Sequence, residues 1–429
     1  MKTTQVTDGI WRLSANVENV LFEGMWPIPH GIAMNSYIVK GEKAAIVDGV
    51  CTWDGVPESL FEQLSQMDVA LSDIDYVIIN HMEPDHSGWL EPFTRLRGGE
   101  NFQIICSKRA EPLLKGFYGL TQNIRTVASG DTLDLGNGRV LVFEDIPNVH
   151  WPETMATFDT KSKTLLPCDA FGSFGSVDSD APYDEQLTED QFEFFERETL
   201  RYYANIVAAF SPAVQKAAGK LDPLDIEIIA PGHGIVWRRD PGRIVDHFVR
   251  YASYMKGPAK EKITVIWGSM YGMTESAVQP VVDAIREEGV EVVSHRVPET
   301  HLSYVLQSVW ESSGVVLAMP TYEYKMFPAM FAILDEIGKK KVQNRKAFRF
   351  GSYGWSGGAE QELAELNQKY KMNWDFLESV EFLGKPTQEH IELIRQRGRE
   401  LASEVKQWVS GNEYSSAAHH MPDNTVAQK

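Results

Sequence analysis

The chain has 429 residues, 43% of them hydrophobic and 24% charged, enough for two or three domains with full cores and in the range of soluble globular proteins. A formal charge of -19 disfavours nucleic acid and anionic membrane surfaces as partners, and no apolar run approaches the roughly 20 residues that span a bilayer. The amino terminus leads into no apolar signal core, so a cytoplasmic protein is expected; Cys51, Cys106 and Cys168 are widely spaced and form no CxxC, which excludes a cysteine-only metal site and a disulfide framework.

To about residue 255 the sequence reads as short strands separated by turns, with helices late in the segment. Candidate strands are 44–48, 76–80, 102–106, 139–143, 164–167 and 226–230, and a helix is expected at about 191–210. This dense strand pattern predicts a layered α/β sandwich over 1–255. The polar stretch Met255-Lys256-Gly257-Pro258-Ala259-Lys260 predicts a linker. Beyond it strand and helix alternate, with strands at 263–267, 290–297, 314–319 and 347–352, a helix at about 275–288 and a last helix at about 387–409. Alternation of this kind predicts a doubly wound parallel sheet over 256–410. The small, polar tail 411–429 is expected to be disordered.

The strongest local signal is His81-Met82-Glu83-Pro84-Asp85-His86, directly after the apolar segment 76–80. It sets four potential metal ligands, His81, Glu83, Asp85 and His86, at the mouth of a strand. Further candidates stand at later strand ends: His150, Asp169 and His233. Alone, each has a plainer explanation as a capping, core or turn residue. Together, four imidazoles and three carboxylates are too many for one ion and suit two, with Asp169 bridging. The order HxExDH, His, Asp, His resembles the metallo-β-lactamase-like domain of the flavodiiron proteins. Most relatives of that fold carry HxHxDH and bind zinc; here Glu83 stands in place of the second histidine. A carboxylate adds negative charge and a hard oxygen donor, which favours iron. In that family the position of His86 can swing away from the metal. His30 and Trp151 are candidates for the substrate side of the pocket, and Asp48 for a group that orients an imidazole.

The loop Ser269-Met270-Tyr271-Gly272-Met273-Thr274 follows strand 263–267 and opens the next helix. Hydroxyls and backbone N–H groups at a helix amino terminus form a phosphate cradle. The loop lacks GxGxxG and the P-loop lysine, and suits the phosphate of FMN, as in flavodoxins. Two more loops, Pro320-Thr321-Tyr322-Glu323-Tyr324 and Ser352-Tyr353-Gly354-Trp355-Ser356-Gly357-Gly358, also lie beyond carboxyl ends of parallel strands, where doubly wound sheets bind ligands. Their glycines allow backbone to approach a flat ring, and Trp355 can cover its face. Gly351 to Gly358, GSYGWSGG, resembles the flavodiiron isoalloxazine loop. The middle loop departs from the family form, which has Pro-Thr followed by an asparagine-containing stretch. Glu323 beside a flavin would disfavour the anionic semiquinone.

The resemblance covers about residues 1–410. It implies FMN and two non-haem iron ions, and reduction of dioxygen to water or of nitric oxide to nitrous oxide. It also implies a head-to-tail homodimer, or a dimer of dimers, that brings FMN of one subunit beside the iron of another. No third domain carrying a rubredoxin or flavoreductase is expected, so a separate rubredoxin-like protein or flavoreductase is the expected electron donor. A zinc hydrolase of the metallo-β-lactamase fold is the competing reading. It explains the first half alone and expects a histidine at position 83.

Overall fold

A computed structural model describes residues 3–50, 58–99 and 101–416. The chain divides into two compact units, the first ending at Ala252 and the second starting at Ser253.

In the first unit, β1 (Thr4–Thr7) and β2 (Ile10–Val17) form an antiparallel pair, and β3 (Leu21–Phe22) with β4 (Trp26–Pro27) makes a separate small ribbon. β5 (Ile32–Lys40) and β6 (Ala44–Val47) extend the sheet antiparallel; β7 (Ile74–Ile79), β8 (Gln103–Ser107) and β9 (Ile124–Val127) extend it in parallel. A second sheet holds β10 (Thr132–Asp134), β11 (Val140–Asp145), β12 (Met155–Asp159), β13 (Thr164–Leu166) and β14 (Ile228–Ile229) in sequence order.

Side chains on a strand alternate faces, and here both faces of the first sheet are apolar. Val77 and Ile79 pack outward with Leu60 and Phe93 from helices and with Trp89 from a turn, while Ile78 packs inward with Leu141, Phe143 and Leu166 of the second sheet. The result is the layered α/β sandwich expected for this half, of the αββα type. Its polar centre lies where strands end. Asn80, just past β7, donates from its backbone (2.8 Å) and side chain (3.1 Å) to the carboxylate of Asp48, just past β6. The same side chain donates to the Leu166 carbonyl at 3.0 Å and accepts from Thr157 at 2.8 Å. The ends of β6, β7 and β13 and the middle of β12 are thereby tied together one residue before His81. Asp48 therefore acts on the backbone at Asn80, and its hydrogen bonds do not go to an imidazole.

The second unit is a parallel sheet of β15 (Lys260–Trp267), β16 (Glu291–Arg296), β17 (Ser312–Ala318), β20 (Lys346–Tyr353), β21 (Asp375–Phe376) and β22 (Val380–Leu383), with β18 (Thr321–Tyr322) and β19 (Lys325–Met326) as a hairpin between β17 and β20. The order is β16-β15-β17-β20, with β21 and β22 both pairing β20, all in parallel. This is the 2-1-3-4-5 order of flavodoxin-like sheets.

Several boundaries differ from expectation. The polar stretch read as a linker ends inside β15, which starts at Lys260, and the unit boundary falls at 252/253. The expected helix at 191–210 is α-helical only over Glu189–Tyr202; it passes into a π turn at Tyr203–Val207 and a 3-10 turn at Ala208–Phe210. The helix expected at 275–288 begins as a 3-10 turn, Glu275–Ala277, before the α-helix Val278–Glu287. The last helix runs over Gln388–Ser416, so residues 411–416 are helical and not disordered. Polar composition misleads there because Ser410 and Asn412 bond the carbonyls of Lys406 and Trp408, each four residues back, without interrupting the helix. Residues 417–429 and Cys51 lie outside the described residues.

Candidate metal centre and flavin site

Proline at the first position of the short helix Pro84–Ser87 starts a turn immediately after Glu83, which folds His81, Glu83, Asp85 and His86 back over the end of β7. Ser87 Oγ holds that turn by donating to the carbonyls of Met82 (2.8 Å) and Glu83 (3.0 Å). His150 follows β11, Asp169 follows β13 and His233 follows β14. All seven side chains are buried.

They converge in two groups, His81, Glu83, His150 and Asp169, and Asp85, His86 and His233. In the first, His150 Nε2 lies 2.9 Å from Glu83 Oε2 and 3.0 Å from Asp169 Oδ2, and His81 Nε2 lies 3.2 and 3.4 Å from the same two oxygens. In the second, His86 Nε2 and His233 Nε2 are 3.1 Å apart, and lie 2.7 and 3.2 Å from Asp169 Oδ1 and 3.5 and 3.4 Å from Asp85 Oδ2. Asp169 thus presents one oxygen to each group. Donors placed about 2.1 Å from an ion are about 3.0–3.4 Å from each other in octahedral or tetrahedral geometry. The observed separations, 2.7–3.5 Å, bracket those edges, so the residues present fit two ions sharing one carboxylate.

The electrostatics are mutual. Burial pushes the Glu83 carboxyl up, but hydrogen bonds and charge from His150 and His81 outweigh this and hold it at about 2. Burial likewise opposes the charged imidazoles, yet Asp169 and Glu83 raise His150 to about 9, and Asp169 and Asp85 raise His233 to about 10. Metal binding needs neutral imidazoles, so loading releases these protons.

Groups outside the ligand set orient it. His81 Nδ1 donates to Glu153 Oε1 at 2.9 Å, and Met82 N donates to the same oxygen at 3.0 Å. His233 Nδ1 donates to the Ala33 carbonyl at 3.1 Å. His86 Nδ1, by contrast, has no hydrogen-bond partner among the described residues. Glu153 was not foreseen from sequence; its one signal is an acid three residues after His150. An aromatic wall was also missed: Phe22 and Tyr202 meet the His233 ring at centroid distances of 5.7 and 5.9 Å, and Phe174 joins them at 5.6 and 5.2 Å. The Tyr202 hydroxyl is buried without a hydrogen-bond partner among the described residues. Of the two pocket candidates, Trp151 packs edge-on against His81 at 5.1 Å. His30 is exposed, and its ring meets Phe194 at 5.3 Å, outside both ligand groups.

In the second unit, the three loops after β15, β17 and β20 rise from adjacent strands. In the first, Ser269 Oγ accepts from Gly272 N at 3.0 Å, and Gly272 takes φ +82°, which favours glycine. Tyr271 stands 85% exposed at its tip. Thr274 and Ser352 are turned inward and latch the first loop to the third: their hydroxyls are 3.0 Å apart, and Ser352 N donates to Thr274 Oγ1 at 3.2 Å. The middle loop is the β18–β19 hairpin, with Thr321 paired to Met326 and Tyr322 to Lys325. Its tip residues Glu323 and Tyr324 have φ of +47° and +67°, the two left-handed positions that Asn-Gly usually fills. In the third loop, a Cβ on Gly351 would run into the Met319 carbonyl, and one on Gly358 into that of Tyr324. Tyr324 and Trp355, both exposed, face each other edge-on at 6.3 Å, and the buried Thr321 hydroxyl has no partner among the described residues. An exposed aromatic pair, an unsatisfied hydroxyl and a loop of backbone N–H groups at a helix start fit a flat ring carrying a phosphate.

Fold and sites together define an oxidoreductase class in which a metallo-β-lactamase-like unit precedes a flavodoxin-like one. A family model described as ODP family beta lactamase matches residues 32–234. The chain is 34% identical over 411 residues to the anaerobic nitric oxide reductase flavorubredoxin of Pectobacterium atrosepticum, covering 93% of this chain and 74% of the relative. Among solved structures, rubredoxin oxygen:oxidoreductase from Desulfovibrio gigas superimposes with a TM-score of 0.88 at 25% identity, covering 95% of this chain and all of that one (100%). A flavo di-iron protein variant from Thermotoga maritima gives 0.83 at 28% identity, with 94% and 99% covered. The chain belongs to the flavodiiron protein family.

Proposed function

We propose that this chain reduces dioxygen to water, nitric oxide to nitrous oxide, or both, at a non-haem di-iron centre fed by FMN. The observation that carries the metal half of this reading is Asp169, whose two carboxylate oxygens face two separate imidazole groups. The ligands are His81, Glu83, Asp85, His86, His150, Asp169 and His233, in a di-iron domain over 1–255. FMN is held over 256–410 by the loops at 269–274, 320–323 and 352–358. When bound, the iron pair and the flavin supply electrons singly or in pairs to a small oxidant. The protein's part is to fix imidazole direction through Glu153 and Ala33, to keep the centre dry, and to place Trp151 at its rim. A zinc hydrolase would leave the flavodoxin-like unit without a role, and Glu83 where it expects a histidine.

Three finer points belong to the same proposal. Electrons come from a rubredoxin-like protein or a flavoreductase. The working assembly is a head-to-tail homodimer or a dimer of dimers. The location is cytoplasmic; no helix among the described residues is long and apolar enough to cross a membrane. Anaerobic steady-state assays with one reduced donor, run with nitric oxide and with dioxygen in turn, test the activity. Protein-dependent turnover of at least one oxidant is expected, and loss of it in Asp169→Ala with FMN retained. No turnover of either would overturn the proposal.

A further inference from the structure

β5 carries a polar side chain to which neither ligand group assigns a role. Asn35 is 1% exposed in a strand that is otherwise buried up to its last residue, and its amide is fully engaged. Its Nδ2 donates to the carbonyls of Pro231 and Gly234, at 3.0 Å each, the residues bracketing Gly232-His233. Its Oδ1 lies 2.8 Å from Arg12 Nε and 2.9 Å from Ser14 Oγ. The guanidinium fixes the amide's orientation: Arg12 can only donate, so the oxygen must face it and the NH2 must face the two carbonyls. The Asn35 backbone N–H also donates to the Gly232 carbonyl at 2.8 Å. Two residues along β5 in either direction, the Tyr37 hydroxyl donates to Pro231 O at 2.8 Å, and Ala33 O accepts from His233 Nδ1 at 3.1 Å. His81 is oriented by a carboxylate that bonds it directly. His233 instead depends on a carbonyl of β5 and on a loop pinned to that strand.

We propose that Asn35 is a positioning residue for His233. By holding the 231–234 loop it keeps His233 Nε2 aimed at Asp85 and Asp169, and so sets the affinity of one of the two ion positions, the one built from Asp85, His86 and His233. The inference rests on the di-iron reading of the site. A purely structural asparagine would affect both ion positions or neither. A positioning one separates them.

Asn35→Asp tests this, because it keeps the shape and the acceptors for Arg12 and Ser14 but turns an oxygen toward two carbonyl oxygens. Metal-free full-length protein is titrated anaerobically with ferrous iron and followed by calorimetry and Mössbauer spectroscopy, with the wild type in parallel. The wild type is expected to take two equivalents. Asn35→Asp is expected to bind one as the wild type does and the other about 10–100-fold more weakly, the range seen when outer partners of metal ligands are removed. At one equivalent it shows an isolated iron signature. Should the aspartate variant not fold, Asn35→Ala removes both donors without adding repulsion, and the same split is expected. Two equivalents at wild-type affinity in a folded variant, or equal weakening of both, overturns the inference and leaves the di-iron reading standing. A wild type that does not take two equivalents overturns that reading itself.

Discussion

At the scale of single residues, the proposed metal centre depends on side chains outside its proposed ligand set. Glu153 sets the direction of His81, and Glu153→Gln keeps a hydrogen-bond acceptor while removing charge. Iron affinity is expected to fall about 10–100-fold with the fold intact, which a metal titration checks. Gly232 acts by its lack of a side chain, since an added Cβ would sit 2.8 Å from His86 Cε1. Tyr202 gives an opposite sign. Its buried hydroxyl has no hydrogen-bond partner among the described residues, and burial together with the charges of Asp169 and Glu83 pushes it well above the usual tyrosine range. Tyr202→Phe is therefore expected to stabilise the metal-free protein by about 1 kcal/mol, measured by chemical denaturation. None of the three is legible in the sequence. An acid after His150, a glycine beside His233 and a tyrosine in a helix are all ordinary in isolation. The cluster from His81 to His86 was legible because ligands concentrated at one strand end have no ordinary explanation.

At the scale of elements, the three loops of the proposed flavin site are held to one another by backbone contacts as well as side chains. Gly351→Ala must displace the Met319 carbonyl, so it is expected to cost about 1–3 kcal/mol and to weaken FMN binding, read by denaturation and flavin fluorescence. Trp355→Ala is expected to weaken FMN binding while iron content persists. On β16, burial and the nearby Lys262 charge lower His295 from 6.5 to about 4, and its Nε2 lies 2.7 Å from Ser308 Oγ. A depressed histidine pKa means that the folded state resists protonation. The stability it contributes is present above pH 6.5 and is lost as the pH falls through 4. Discounted for partial exposure, the loss is on the order of 2 kcal/mol. His295→Asn should gain on the wild type between pH 7 and pH 4.5 by denaturation; an unchanged difference contradicts the assignment. Apolar strands such as β7, β8 and β17 were readable because both faces are buried. β14 was overestimated because an apolar run, 226–230, contributes only two residues to the ladder. The tip of the β18–β19 hairpin hid its turn because Glu323 and Tyr324 occupy left-handed positions without the usual turn residues.

At the scale of the whole molecule, the change of rhythm near residue 255 was enough to separate a sandwich from a doubly wound sheet, since strand density and strand-helix alternation are long-range patterns that survive local error. Two cofactors of different chemistry then follow from two sites that each make sense alone, and reduction of a small oxidant follows from joining them. The seven buried side chains are proposed to hold iron and not zinc. Metal and flavin content with a Mössbauer spectrum, taken on active protein produced with iron supplied, tests it most directly. Two irons per chain with the spectrum of a coupled pair, and one FMN, are expected. Active protein carrying stoichiometric zinc and no iron would contradict it.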